Sequence, residues 1–187
     1  METKHRCAWC EKDDLYRNYH DNEWGKPVYD DATLFEFLIL ETFQAGLSWY
    51  TVLAKRENFR SAFDHFDWNK IAQYPEEKMA SLAEDSGIIR NKLKIKATVT
   101  NAQAFIKIQE EFGTFSKYIW GFVDGKPIDN TPKTMADVMA TTEISDILSK
   151  DLKKRGFKFV GSNVVYAHMQ ATGMVNDHVI NCFTRNK

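Results

Sequence analysis

Apolar residues recur along most of this chain at the three- and four-residue intervals that are typical of amphipathic α-helices. The broadest apolar stripe begins at Asp31 and predicts a central, largely buried helix. Its members are Leu34, Phe35, Phe37, Leu38, Leu40 and Phe43. A second helix is expected to begin after Ser48, whose hydroxyl suits the N-cap position, and its core-spaced residues extend to Phe63.

The same spacing predicts six more helices farther along the chain. They cover about residues 67–74, 75–86, 91–112, 114–122, 144–155 and 160–172. The stretch 124–133 contains two prolines and one glycine and is expected to form a loop. Strand-like alternation does not persist beyond a few residues. We therefore predict an all-α fold in one unit, with a core lobe at about 30–130 and a second lobe from 1–29 plus 131–187.

Composition fits a globular protein of one domain. Of the 187 residues, 43% are hydrophobic and 27% are charged. No run of about 18 apolar residues is present, and the N-terminal residues lack the apolar segment of a signal peptide, so we expect no contact with a membrane. Three cysteines are too few for a disulfide framework, which favours the reducing cytoplasm.

Charge is nearly balanced overall but is unevenly placed. The formal net charge is −1, so a polyanionic partner must be recognised by a local patch. Residues 88–108 contain five basic residues and no acid, and residues 150–158 contain five basic residues against Asp151. These segments could form one phosphate-binding face, and the alternative is that they are two solvated helix faces.

Cysteine and histidine residues form one pair near each end of the chain. Cys7 and His20 lie near the N-terminus, whereas His178 and Cys182 are spaced to share one face of a helical turn. Two thiolates and two imidazoles describe a closed tetrahedral zinc site. The alternative is that these are unrelated core residues, in which case Cys10 is as good a candidate as Cys7.

A short turn joins two predicted helices at residues 87–92, where Gly87 and two isoleucines lead into a basic helix start. This pattern is typical of a degenerate helix–hairpin–helix, in which backbone amides and the next helix N-terminus face a DNA phosphate. The candidate contacts are Gly87, Arg90, Asn91 and Lys92. An ordinary helical hairpin is the alternative.

One acidic residue interrupts the apolar stripe of the central helix. Glu41 shares a face with Leu34 and Phe37, and a carboxylate there is costly unless it is paired or used. Several aromatic residues could surround it, namely Trp9, Tyr16, Tyr19, Trp24 and Trp49. The two interpretations are a structural glutamate with a basic partner and a glutamate that reads a ligand in an aromatic pocket.

Seven stretches together closely resemble the family of DNA-3-methyladenine glycosylase I. This family comprises constitutive bacterial enzymes that remove 3-methyladenine from alkylated DNA. The similarity runs in order from Cys7 to Cys182, nearly the whole chain. The stretches are CAW (7–9), YHDNEWG (19–25), ETFQAGLSW (41–49), KREN (55–58), GIIR (87–90), LKKRGFKFVG (152–161) and VNDH (175–178).

The resemblance implies a helix–hairpin–helix glycosylase fold with a lobe that carries one structural zinc ion. By position, the zinc ligands match Cys7, His20, His178 and Cys182, which leaves Cys10 outside the site. The base pocket matches Glu41, Tyr16, Tyr19, Trp24 and Trp49, with Trp9 nearby. Gly46 and Leu47, followed by Ser48, fall where the family approaches the gap left by the flipped base.

This sequence departs from the family pattern at three positions. In the family, the residue at the position of Phe43 is more often polar. The family pattern also leads us to expect serine followed by phenylalanine where Ala167 and His168 stand. If Ala167 lines the pocket, one polar contact to the base or ribose is missing. His168 could be a wall residue of the pocket or a packed residue, and we expect packing.

The implied function is base excision repair of double-stranded DNA in the bacterial cytoplasm, by a monomer that releases free 3-methyladenine and leaves an abasic site. N3-methylation makes adenine cationic and weakens its glycosidic bond, so the enzyme must extrude and hold the base. We assign Glu41 as the catalytic residue that accepts from the exocyclic amino group. Lyase activity is not expected, because the sequence shows no apolar-buried lysine near the aromatic set.

Two other function classes compete with this interpretation. A non-catalytic DNA-binding module with a zinc clip requires only the hairpin and the basic face, and the aromatic set around Glu41 argues against it. A zinc hydrolase requires an open metal position, which a site with two cysteines and two histidines does not offer.

Overall fold

A computed structural model describes residues 4–44 and 46–185 of the chain. The α-helices of these residues are α1 Asp14–Asn22, α2 Asp31–Gln44, α3 Trp49–Ala54, α4 Arg56–Ala62, α5 Trp68–Ile71, α6 Glu76–Glu84, α7 Lys92–Phe112, α8 Phe115–Trp120, α9 Glu143–Lys154 and α10 Ser162–Ala171. The 3-10 helices are Ala8–Lys12, Asp64–Phe66, Gly121–Val123 and Met135–Asp137. Two short strands, β1 Ile128–Asp129 and β2 Val175–Asn176, pair in parallel.

Most of the predicted helices are present, and the fold is mostly helical as expected. The long helix α7 has Asn91 as its N-cap, with the side chain accepting from the Lys94 amide, and it ends at Gly113. The single helix expected from Ser48 to Phe63 is instead two helices, because the chain leaves helical geometry at Lys55. The expected loop at 124–133 contains β1, and α1 was not predicted.

Helix α2 forms the centre of the main core, which extends from Leu34 to Val175 along the chain. It packs against α3, α7, α8 and α10. Its first residue also anchors a neighbouring helix, since the Asp31 carboxylate accepts from the backbone amides of Phe115 and Ser116 at the start of α8. This packing fixes the direction of α2 and therefore the position of Glu41 in its last turn.

The hairpin between α6 and α7 is tied to α3 and α4. The Nζ of Lys55 donates to the carbonyl oxygens of Ser86 and Gly87, and the Asn58 amide also donates to Gly87. Inside the hairpin, Asp85 accepts from the Gly87 amide and Ile88 is buried. The turn is therefore held rigidly against the α3–α4 segment that follows Gly46 and Leu47.

The two ends of the chain meet beside α10. Gly25 and Val28 donate their amides to the carbonyl oxygens of Gln170 and Thr172. At this crossing Gly173 has φ +68°, and a Cβ there would lie 2.3 Å from the backbone of Lys26. Only glycine allows this approach. Within the described residues, each helix is too short or too polar to span a membrane.

Candidate functional site

An open cavity of about 500 Å³ lies between α1, α2, α3 and α10. Every candidate base-pocket residue lines it, namely Trp9, Tyr16, Tyr19, Trp24, Glu41 and Trp49. The same cavity is lined by residues that sequence reasoning did not assign to it, which are Gln44, Met135, Val138, Met139, Ala140, Ala167 and Gln170. The pocket is therefore built from both ends and the middle of the chain.

The aromatic rings of the pocket support one another. Trp9 meets Tyr16 and Trp24 edge to face, with centroid distances of 5.2 and 5.1 Å. Tyr19 lies 5.7 Å from Trp49 in a tilted arrangement. Such contacts fix ring orientation at little cost in side-chain entropy. The rings form preformed walls of the size and polarisability that suit a planar heterocycle.

Three polar atoms that face this aromatic environment are buried and have no hydrogen-bond partner among the described residues. They are the Oε2 of Glu41, the hydroxyl of Tyr19 and the Nε1 of Trp49, and the last two belong to neighbouring side chains. Orphaned polar groups inside a protein are costly and mark a place where a ligand completes the bonding. The site thus offers a carboxylate oxygen and an indole N–H to a bound molecule.

Burial raises the pKa of Glu41 to about 8. The side chain is only 3% exposed, and loss of hydration disfavours its charged form. No basic side chain pairs with it among the described residues, so the interpretation of Glu41 as a structural ion-pair partner is not supported. A cationic ligand in the pocket would favour the ionised form and lower this pKa.

Four buried side chains converge at the junction of the chain ends. Their ligand atoms all lie within 4.8 Å of one another, and they belong to Cys7, His20, His178 and Cys182. The Cys182 Sγ is 3.4 Å from the Nε2 of His20 and from the Nδ1 of His178, and the Cys7 Sγ is 3.7 Å from His178. Sulfur and nitrogen ligands of a tetrahedral zinc ion are ~3.6 Å apart. The group could therefore hold a metal ion.

Hydrogen bonds on the far side of both imidazoles fix their orientation. The Nδ1 of His20 donates to Asp21, which Arg6 also holds, and the Nε2 of His178 donates to the carbonyl oxygen of Trp24. Such outer partners are typical of metal-binding histidines. Cys10 lies outside the group, and its Sγ donates to the Cys7 carbonyl oxygen.

The candidate DNA contacts lie on exposed segments. Leu47 is 41% exposed, and the side chains of Arg90, Asn91 and Lys92 are exposed at the hairpin. Gly46 has φ +81°, a backbone conformation that favours glycine at this bend. The Asn91 side chain caps α7, so it positions the helix start whether or not it also meets a phosphate.

Lys94 is the buried basic residue nearest to this surface in sequence. Its Nζ donates to the carbonyl oxygen of Phe43 at the end of α2, and burial lowers its pKa. The sequence did not predict a buried lysine here. The residues that line the pocket within the described chain do not include Lys94, so its amine is not placed against a bound base.

Comparison with known proteins decides the family. The sequence model of the methyladenine glycosylase family matches residues 9–185. The chain belongs to this family. DNA-3-methyladenine glycosylase 1 of Escherichia coli K12 is 49% identical over 177 residues, which cover 95% of each chain. The corresponding enzyme of Haemophilus influenzae Rd is 46% identical and covers 95% of this chain and 96% of its own.

A solved structure of a family member has the same fold as this chain. The 3-methyladenine DNA glycosylase I of Staphylococcus aureus, described in a study of 3-methyladenine recognition, superposes with a TM-score of 0.94 at 39% identity. The alignment covers 97% of both chains. The predicted fold class and the predicted family are thereby confirmed.

The three departures from the family pattern have distinct structural settings. Ala167 lines the pocket, where it presents a methyl group. Phe43 is buried against Phe59 and Phe63 in the main core. His168 is buried, its Nε2 donates to the Leu34 carbonyl oxygen, and burial lowers its pKa to about 4. His168 is therefore a packed neutral residue, as expected.

Proposed function

We propose that this chain is a monofunctional DNA glycosylase that hydrolyses the glycosidic bond of 3-methyladenine in alkylated duplex DNA. The observation that carries the proposal is the buried, unpartnered Glu41 carboxyl at the floor of an aromatic pocket. Relatives named DNA-3-methyladenine glycosylase, which align over 95% of the chain, support it.

Selection of the damaged base follows from its charge. Adenine methylated at N3 is cationic within DNA, and a cation is attracted by the faces of the indole and phenol rings. It also favours the ionised form of Glu41, whose pKa burial otherwise raises to about 8. The anion then accepts a hydrogen bond from the exocyclic amino group. Undamaged adenine is neutral and gains from neither effect.

The chemical step requires little from the protein beyond holding the extruded base. The positive charge already weakens the glycosidic bond, so the leaving base needs no general acid. Water attacks the sugar at C1′ and leaves an abasic site. A Schiff-base lyase step requires an amine at the sugar. The buried Lys94 does not line the pocket, and its amine donates to the Phe43 carbonyl oxygen. This placement supports the monofunctional assignment.

The metal of the four-residue group is proposed to be one Zn²⁺ ion that serves structure. Two thiolates and two imidazoles suit zinc and complete a tetrahedron, so no position remains for a reactive water. Cys7 and His20 come from one end of the chain, and His178 and Cys182 come from the other. The ion would therefore hold the two ends together beside the pocket.

DNA is proposed to lie across the hairpin and the end of α2. The Gly87 amide already donates to Asp85 and is therefore not a phosphate contact. The side chains of Arg90 and Lys92 would meet phosphates, while Gly46 and Leu47 would enter the gap left by the base. The exposure of these residues and the links between hairpin and α3–α4 support this placement. We expect a monomer that acts in the bacterial cytoplasm.

Incubation with methylated DNA and chromatography of the released bases tests the activity directly. Release of 3-methyladenine by the parental protein, and slower release by Glu41→Gln, are the expected results. Binding of alkylated duplex without any release would instead identify a non-catalytic DNA-binding module. Activity that disappears on chelation while folding remains intact would identify a zinc hydrolase.

A further inference from the structure

Phe159 combines an exposed aromatic ring with a left-handed backbone conformation. Its side chain is 41% exposed although its neighbours Phe157 and Val160 are buried, and its backbone has φ +57°. For a bulky residue the left-handed region is unfavourable and persists only where the surroundings enforce it. Phe66 shares the positive φ but is buried in the core, so it is the exposure of the Phe159 ring that requires an explanation.

The surrounding structure holds this backbone on both sides. The fully buried Asn101 of α7 accepts from the Lys158 amide at 2.7 Å and donates to the Lys158 carbonyl oxygen at 3.1 Å. The Ser149 hydroxyl of α9 donates to the Val160 carbonyl oxygen at 2.7 Å. The loop is therefore preorganised, and Phe159 projects from a rigid base.

The ring lies next to the surface that the proposed function assigns to DNA. The Nζ of Lys94 is 6.0 Å from the ring centroid and also donates to the Phe43 carbonyl oxygen in the last turn of α2. Phe159 and the end of α2 thus flank one ammonium group. Lys94 belongs to the first turn of α7, which directly follows the turn of the α6–α7 hairpin. The hairpin therefore lies at the same end of α7 as Lys94.

We propose that Phe159 is a second apolar contact with the duplex, against nucleotides that flank the extruded base. This inference rests on the proposed function. Surfaces that hold unstacked nucleotides combine cations for the phosphates with aromatic rings for the bases. Phe159 has this setting, because Lys158 precedes it in the exposed loop and the Lys94 ammonium group lies 6.0 Å from its ring centroid. Leu47 would fill the gap, and the Phe159 ring would support the bases beside it.

Two substitutions distinguish the contribution of the Phe159 ring from that of the strained backbone. Phe159→Ala and Phe159→Gly both remove the ring, but glycine adopts a positive φ without strain. We expect both variants to bind a duplex with an abasic-site analogue roughly tenfold less tightly, the scale of one lost base–aromatic stack. The glycine variant should melt at a higher temperature than the alanine variant. The salt dependence of binding should stay as in the parent, since the ring neutralises no phosphate.

Phe112 provides a matched control. It is 37% exposed, and the Arg155 guanidinium lies 4.9 Å from its ring, yet it ends α7 about 27 Å from Lys94. Phe112→Ala should bind the abasic duplex as the parent does. Equal losses in Phe112→Ala and Phe159→Ala would overturn the inference, and so would parental affinity in Phe159→Ala. Affinity restored by Phe159→Gly would assign the effect to the backbone and overturn it as well.

The base-release assay keeps this inference separate from the proposed function. A parental protein that releases no 3-methyladenine but binds the abasic duplex through Phe159 would contradict the glycosylase assignment and leave the contact standing. A parental protein that releases the base, with Phe159→Ala binding and excising equally well, would contradict only the contact.

Discussion

The Nε2 of His178 lies 3.0 Å from the carbonyl oxygen of Trp24, and the two rings meet edge to face with centroids 4.6 Å apart. One residue belongs to the possible metal group and the other lines the pocket. Gly25 makes the approach feasible, because a Cβ there would lie 2.8 Å from that nitrogen. The possible metal group and the aromatic lining of the pocket are thus in direct contact. Loss of the metal ion should therefore disturb the position of Trp24.

Replacement of Cys182 by serine should release the metal and loosen the junction of the chain ends. We expect metal analysis to fall from about one zinc per chain to near zero, and the melting temperature to fall by about 10 °C or more. Affinity for free 3-methyladenine should fall too, because His178 would no longer hold Trp24. Cys10→Ser is the control, since Cys10 is equally buried but lies outside the group. Full zinc content in Cys182→Ser would exclude this ligand.

Lys92→Glu should weaken binding of any duplex to a similar degree and flatten its salt dependence. Each phosphate neutralised by a cation adds about 0.9 to the slope of log affinity against log salt concentration. Lys117→Glu is the control, because that exposed lysine follows Gly113 at the other end of α7. Titration with duplex DNA at several salt concentrations measures both slopes. An unchanged slope in Lys92→Glu would show that the hairpin does not contact DNA.

Sequence reasoning succeeded where the signal is local. The limits of α7 could be predicted, because Asn91 and Gly113 are cap residues whose preferences arise from their own backbone geometry. Helix α1 was missed because its buried face carries Tyr19 and His20 in place of the usual aliphatic stripe. Spacing also left Cys7 and Cys10 equivalent, and the structure separates them through tertiary contacts.

The wall of the pocket at residues 135–140 could not be predicted. A capping box between Thr134 and Asp137 shapes this segment locally, but its place in the pocket lining depends on tertiary packing. Gln170 was missed for a similar reason. Its amide donates to the buried Asp177 at 2.8 Å, and that pairing is visible only in three dimensions.

Glu41→Gln should reduce excision of 3-methyladenine through weaker transition-state binding by ~1–3 kcal/mol, roughly five- to 150-fold in kcat/KM. Glutamine keeps the shape and one acceptor but cannot become an anion beside the cationic base. Zinc content and affinity for undamaged duplex should not change. Single-turnover excision measures the effect, and a parental rate would show that Glu41 does not read the base.

Trp49→Ala should weaken binding of free 3-methyladenine by ~1–3 kcal/mol, because the stacking surface and the unpartnered Nε1 are both lost. The free methylated base is neutral, so it reports shape and hydrogen bonding rather than charge. Trp68→Ala is an informative control, since Trp68 packs against Phe35 and Phe105 in the main core. Calorimetric titration should show parental affinity for any Trp68→Ala protein that remains folded.

The stability of the ligand-free protein should depend on pH through Glu41. Burial raises its pKa from 4.5 to about 8, so the folded state holds a proton that the unfolded chain has released across this range. This contribution to the free energy of unfolding is fully present below pH 4.5 and is lost as the pH rises to about 8. Its size is roughly 3–5 kcal/mol.

Glu41→Gln removes this loss because glutamine does not titrate. The variant should therefore gain stability relative to the parent between pH 4.5 and 8, with a constant difference above that range. Urea unfolding at intervals from pH 5 to 9 measures the difference, and Glu84→Gln, at an exposed position on α6, controls for general charge effects. Parallel pH profiles for the parent and Glu41→Gln would mean that Glu41 is already ionised in the empty pocket, and selection of the cation would then rest on the aromatic walls.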